Sequence, residues 1–568
     1  MKCHITVHLL DDPPQYSALS YTWGSPVQER FIDCDGLRLG VTLNLWKALR
    51  SLRQATGTRT FWIDAICINQ KNIHERNSQV RLMKEIYQRA VEVVVWLGED
   101  KQNSADGVSL LPRIHAAALN GKLLQGPDSL SMRLDQAGLP GFDSIVWTSL
   151  AELYRRSWFT RIWVVQELAV AKPATVLCGG RRVPWAYFAP AAVCLQTAAS
   201  IHYWDVRLRF DFDRFSCMDT CHTQFENDTP PGLLDILSAT RSHFSMDPRD
   251  KIFGVLGLAS DADALLSNPD YSKSSVEVYS TLAIRMIVDQ ESLDCLSHKE
   301  DPWFTGIKGL PSWVADWSVH PRSHPLRGTS VYRSYRATGD SRARIRTMAD
   351  SGTIYLMGFQ IDKIKECSDP LLRYEPRDNI VGNSLRRMNL SDFNYNTHMY
   401  LEQARRKQWE RLALKLDTYP NGEVPFEAFL HTLAGGLDMR GKLSTHDLKF
   451  LYEAYLKSWG CLRDTGPIYC NKEMSDDICT HWVWYRDAVE DVAYGRLLFT
   501  SDNGYMGLAP PSTRPGDLVC VLLGGKTPYV LRRVGKEHHR LIGECYVHGQ
   551  MHRSMDGIDD KLEEYAIR

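Results

Sequence analysis

Arg161-Ile162-Trp163-Val164-Val165-Gln166-Glu167-Leu168-Ala169-Val170-Ala171 has the length of a helix, and Ala174-Thr175-Val176-Leu177-Cys178 follows it as an apolar run of strand length. From Ile162 to Ala171 only Gln166 and Glu167 are polar. A helix apolar nearly all round belongs inside a protein, and Pro173 ends it. The same alternation runs upstream. Tyr16-Ser17-Ala18-Leu19-Ser20-Tyr21 reads as a buried strand ending at Thr22-Trp23-Gly24. Phe31 to Val41 reads as a hairpin turning at Asp35-Gly36. Asn44 is expected to cap a helix carrying Leu45, Leu49 and Leu52. Phe61 to Ile66 is expected to be a second strand, Ile73 to Ala90 a helix, and Glu92 to Leu97 a third strand. Near-continuous apolar strands alternating with helices predict an α/β fold with a parallel sheet covered on both faces.

Ligands of such sheets sit beyond the carboxyl ends of the strands. The segments falling there are Tyr21–Gly24, Asp64–Gln70 and Gly98–Asp100. Trp163 and Glu167 are four apart and share one helix face. A carboxylate in that setting has lost much of its water, which is costly unless it is hydrogen-bonded, paired or protonated. Glu167 therefore either braces a neighbouring segment, with Arg156 or Arg161 as partner, or is kept for chemistry. Asp64 reads equally as a loop-binding carboxylate or a substrate contact. Glu75, Arg76 and Gln79 read as a solvated helix start.

At 568 residues the chain exceeds one core. Three regions are expected: an α/β domain at 1–190, a mainly helical region at 191–345, and a mixed helical and β-rich domain at 346–568. In the middle, helices flank Asp247-Pro248-Arg249-Asp250. At the far end, short strands such as Leu497–Thr500, Asp517–Leu522, Tyr529–Arg532 and Leu541–Val547 are separated by Gly and Pro turns, which suggests a small barrel or sandwich. A net charge of −1 leaves no basic excess for a phosphate backbone, so no nucleic-acid partner is expected. Apolar runs are too short to cross a bilayer. No secretory signal precedes Asp11-Asp12-Pro13-Pro14, and the 14 cysteines read as reduced thiols of a cytoplasmic protein. Cys217, Cys221 and His222, and separately Cys461, Cys470, Cys479 and His481, lack the paired spacing of structural zinc sites. No metal is expected at either.

Tyr16–Gly24, Phe61–Gln70, Val93–Gly98 and Arg161–Ala171, in that order, resemble the heterokaryon incompatibility (HET) domain of filamentous fungi. Asp247–Leu258 and Arg496–Met551 resemble segments that recur downstream in such chains. The resemblance implies a fungal source and a role in allorecognition and programmed cell death. HET domains are in turn similar to TIR domains, which have a flavodoxin-like fold and in many cases hydrolyse NAD through a helix-borne glutamate with a Trp four residues earlier. Carried over, this implies Glu167 as the catalytic residue. Trp163 is implied as its support; Tyr21, Trp23, Gly24 and Asp64 belong to the HET-like motifs, and their position at the strand ends makes them the expected substrate-binding edge. NAD would be a substrate rather than a cofactor.

Three readings are open at this level. One is a NAD-cleaving death effector. The second is a non-catalytic module that self-associates or binds a partner allorecognition protein. The third is other small-molecule chemistry on the same scaffold.

Overall fold

The computed structural model describes residues 1–25, 27, 30–54, 56–100, 104–120, 130–141, 143–201, 208, 210–266, 268–326, 335–347, 352–372, 395–436, 449–453, 476–553 and 557–568. They fall into two compact units, Met1–Ser274 and Ser275–Arg568.

In the first unit, β1 (Lys2–Cys3), β3 (Arg30–Cys34) and β4 (Leu37–Val41) form a small sheet, with the hairpin turning at Asp35 and Gly36 as its sequence predicts. The larger sheet joins β2 (Ser17–Tyr21), β5 (Phe61–Trp62), β6 (Glu92–Gly98), β7 (Ala174–Cys178) and β8 (Arg181–Pro184). Its spatial order is β5-β2-β6-β7-β8. The first four strands are parallel, and β8 pairs antiparallel with β7. In order of appearance the parallel strands therefore run 2-1-3-4. The chain goes from β2 outward to β5, then returns to β6 on the other side of β2. In sheets of this kind ligands bind at that reversal, beyond the carboxyl ends of the strands.

Burial explains why the central strands carry so few polar groups. All five residues of β2 and the inner five of β6 are buried. On one face Leu19, Tyr21, Val94, Trp96 and Leu177 pack with Leu45, Ala48 and Leu52 of α1 (Leu43–Leu52). The alternate residues Ala18, Ser20, Val93 and Val95 are buried on the other face. There α7 (Trp163–Ala169) approaches β2.

Two local expectations change. Thr42, not Asn44, caps α1, its hydroxyl accepting from the Leu45 N–H at 3.3 Å. Asn44 lies inside the helix and turns its amide to tertiary work instead. The Phe61–Ile66 segment is strand only at Phe61–Trp62 and becomes a one-turn helix, α2, at Asp64–Cys67. Ile66 and Cys67 bond back to the Ile63 carbonyl, so the apolar run bends at the sheet edge rather than extending. The helix α3 (Ile73–Arg89) follows, with Asn72 as its cap.

The second unit contains a barrel. Its long strand β10 (Ile354–Cys367) pairs with β17 (Glu563–Ile567) through its first half and with β13 (Leu518–Leu522) from Gly358 onward. With β14 (Tyr529–Val534) and β15 (His538–Glu544), the path β13-β14-β15-β17-β10 returns to β13 and closes. Closure removes exposed sheet edges. Ile364, Val519, Val530 and Ile542 of these strands form an apolar cluster with Phe499 and Val547 of two further strands, Leu497–Ser501 and Tyr546–Val547. The ion pair Arg496–Glu544, at 3.1 Å, is nearly fully buried, and the Glu544 carboxylate also accepts from the Leu326 N–H and the Thr527 hydroxyl.

Gly358 sits where β10 exchanges partners, opposite both Glu563 and Leu522. A Cβ there would lie 2.2 Å from the Val521 carbonyl oxygen. Backbone cannot yield as a flexible side chain does, so Gly358→Ala is expected to destabilise the barrel by about 3 kcal/mol. Urea unfolding of the full chain checks this; an unchanged midpoint for Gly358→Ala would contradict the tight crossing.

Candidate active site

The site is built at the carboxyl edge of β2 from four short segments. β2 supplies Ser20 and Tyr21, the following turn Trp23 and Gly24, α2 supplies Asp64, and α7 with its preceding turn supplies Arg161 and Glu167. Successive strand residues project to opposite faces. Ser20 accordingly meets Glu167, while Tyr21 lies beside Asp64.

Glu167 is 2% exposed. The Ser20 hydroxyl donates to its Oε2 at 2.5 Å, and the Trp158 indole N–H donates to the Ser20 oxygen at 2.8 Å. The resulting chain, indole to hydroxyl to carboxyl, polarises each bond in turn. Burial pushes the Glu167 carboxyl up to about 7. The Arg161 guanidinium and the Ser20 hydroxyl pull it down, while Asp64 pushes it further up. No cation lies within 4 Å of its oxygens among the described residues.

Asp64 is held by the Trp23 indole N–H at 2.7 Å and the Ala65 N–H at 2.7 Å. Burial raises its carboxyl above the usual range, against Arg161, Trp23 and Ala65. The Tyr21 phenol is buried without a hydrogen bond of good geometry, and burial, then Asp64, drives it well above its ordinary range. Arg161 donates to the Tyr21 carbonyl, so one guanidinium field serves two buried carboxyl groups. Arg156, the other arginine considered for Glu167, binds the Glu99 carbonyl and the Ser104 hydroxyl instead.

Gly24 is exposed, with φ +73°, the left-handed region that favours glycine. Asn44 braces this turn by donating to the Thr22 carbonyl at 2.5 Å while accepting from the Trp96 indole at 3.2 Å.

Trp163 does not share partners with Glu167. Its indole packs on Gly254 of α11 (Asp250–Leu256), on the side of the Asp250 carboxyl, whose proton affinity it lowers. That region is a polar knot: Arg249 chelates Asp247 and donates to the Tyr271 carbonyl, Arg76 stacks on the Tyr271 ring at 3.5 Å, and Tyr271 donates to Asp250 at 2.6 Å. Sequence reading missed Ser20 and Trp158. The available signal was a serine in the middle of an apolar strand, a hydroxyl that must find a partner once buried.

Residues 16–167 match the family model of the heterokaryon incompatibility protein domain (HET), ending on Glu167 itself. Residues 469–567 match the Het-6 beta-barrel domain. Over its whole length, and 93% of the relative's, the chain is 26% identical to heterokaryon incompatibility protein 6, OR allele, of Neurospora crassa. These matches support a fungal HET protein. No solved structure matches.

In this chain, Cys217 and Cys221 lie side by side on the helix Phe212–Glu226, while the His222 ring faces the Ala169 carbonyl at 3.4 Å. Cys461 and Cys470 lie outside the described residues, as do the side chains of Cys479 and His481. No helix among the described residues is long and apolar enough to cross a membrane.

The raised Glu167 value sets a pH dependence. Unfolded, the carboxyl ionises near 4.5; folded, it holds its proton to about 7. Its contribution to stability is fully present below 4.5 and is lost as pH rises through 7. Glu167→Gln is expected to remove that slope, gaining on the wild type by up to about 3 kcal/mol between pH 4.5 and 8. Parallel denaturation curves for both proteins across this range would refute a buried acid at 167.

Proposed function

We propose that this chain acts in fungal heterokaryon incompatibility, as a cytoplasmic effector of programmed cell death, and that its HET domain cleaves NAD with Glu167 as the catalytic carboxylate. The observation that carries the finer part is the carboxyl group of Glu167, dry and free of a direct ion pair, at the reversal point of a parallel sheet. The 2-1-3-4 strand order supports a TIR-like, flavodoxin-like scaffold, where ligands bind at that reversal.

The chemistry asks little of the protein. Water attacks the ribose carbon, the bond to the pyridinium nitrogen breaks, and its electrons leave with nicotinamide, which departs neutral. A proton is released and ADP-ribose remains. The ribose passes through an oxocarbenium-like state, as in glycoside hydrolysis. An ionised Glu167 stabilises that developing charge, strongly so in a dry site. Asp64 and Tyr21 supply hydrogen-bonding groups for ribose hydroxyls, and Trp23 a face for a ring. Because Glu167 is sealed at rest, substrate reaches it only after the sheet edge rearranges. Self-association or a partner chain is the trigger in this reading.

A second reading has its own support. The same sealing, with Ser20 and Trp158 closing the hydrogen-bond chain, suits a non-catalytic module in which Glu167 only fastens α7 to β2.

Full-length protein clustered on an oligomerising tag and incubated with NAD separates the two. Nicotinamide release should rise with pH through about 7, as the carboxyl ionises, and fall at least about a hundredfold in Glu167→Gln. Equal release from wild type and Glu167→Gln removes the catalytic assignment. Incompatibility that persists in cells expressing folded Glu167→Gln favours the module.

A further inference from the structure

The barrel unit contains a cleft of about 560 Å³ lined by Arg514, Arg532 and Arg540, with Pro302, Pro370 and Pro511 among its walls. This volume lies in the range of small-molecule sites. Arg532 is already committed. It chelates Asp517 with both contacts at 2.8 Å and donates to the Ser512 carbonyl at 2.7 Å. From the other side, Asp301 accepts from the Ser512 N–H at 2.7 Å. The segment carrying Ser512, Thr513 and Arg514 is therefore held in place from both flanks.

What that segment presents is unsatisfied. The Thr513 side chain is buried, 6% exposed, and its hydroxyl has no partner. The Ser512 hydroxyl is likewise buried and unpaired. A buried hydroxyl left without a bond costs on the order of 1–3 kcal/mol, so a ligand oxygen there has a ready donor. Arg514 and Arg540 are exposed and make no ion pair among the described residues. One carboxylate, Asp369, faces them from the lining. Guanidinium groups of this kind bind phosphate oxygens by paired hydrogen bonds. Trp303, at the same cleft, is 52% exposed. An exposed indole beside free arginines is a stacking surface for a flat ring.

Lys299 gives independent testimony to the local field. It lies with Arg540 in an adjoining recess, its ammonium donating to the Ile542 carbonyl at 3.0 Å. Burial pushes that ammonium down to about 7, with Arg540 and Arg532 pushing the same way against Asp301 and Glu300.

We propose that this cleft binds a phosphorylated ring compound of nucleotide size, with Arg514, Arg540 and the Thr513 hydroxyl on the phosphate and Trp303 on the ring. The site is separate from Glu167 and does not depend on NAD cleavage. AMP and inorganic pyrophosphate are suitable probes, since neither contains a nicotinamide bond to break.

Calorimetric titration of the full chain should show saturable binding of both at millimolar concentrations or below. The double variant Arg514→Ala/Arg540→Ala should weaken both at least about tenfold, with an unchanged unfolding midpoint because both side chains are exposed. Thr513→Val, which keeps the shape and removes the hydroxyl, should weaken both by about threefold or more. Trp303→Ala should weaken AMP and leave pyrophosphate unaffected. Absence of binding, or binding indifferent to the arginine pair, overturns the site. AMP binding that is unchanged in Trp303→Ala overturns the ring assignment.

Discussion

The bond from the Ser20 hydroxyl to the Glu167 carboxyl is the constraint around which the edge of the five-stranded sheet is arranged. It joins the central strand β2 to the apolar helix α7. A methyl group at position 20 would leave the carboxyl with no hydrogen-bond donor in its apolar surroundings, and desolvation of that group is costly. Trp158 completes the arrangement by satisfying the serine oxygen that the carboxyl does not use. The helix can be apolar on nearly every side because this one bond answers for its buried acid.

Electrostatics at the edge follow from the same burial. Burial raises the proton affinity of both Glu167 and Asp64, Asp64 raises that of Glu167 further, and Arg161 opposes both shifts without pairing directly with either group. A direct ion pair would have held Glu167 ionised and inert across the physiological range. Without one, its charge state changes near neutral pH, where a modest change in exposure or in the position of Arg161 shifts it. This is the physical property that makes the group suited to a gated role. It is also compatible with a purely structural one, since protonation is a common way for a buried carboxyl to avoid the cost of charge.

The barrel shows the opposite logic. Its buried charges, such as Arg496 with Glu544 and Arg532 with Asp517, are matched in direct pairs. Among its unmatched groups, the hydroxyls of Ser512 and Thr513 and the exposed guanidiniums of Arg514 and Arg540 gather along one cleft. Matched groups hold a scaffold; unmatched ones beside a cavity invite a ligand.

Periodicity and composition determined a good deal by themselves. β2, β6 and β7, the Asp35–Gly36 hairpin and α3 lie close to where their patterns put them, because each depends on a local apolar run or a turn residue. The short strands after Arg496 likewise announced a small β-rich unit. Glu167 could be singled out as a desolvated acid because its neighbours in the chain are apolar. Tertiary structure alone decided the rest. Asn44 serves the Thr22 turn and Trp96 rather than a helix end. The run at Ile63 folds back because Ile66 and Cys67 find the Ile63 carbonyl. Trp163 turns to Gly254 and Asp250, and the indole behind Glu167 is Trp158. A pattern along the chain reports which residues must be buried. Which buried group meets which is set by strand order and side-chain direction, and those are properties of the assembled sheet.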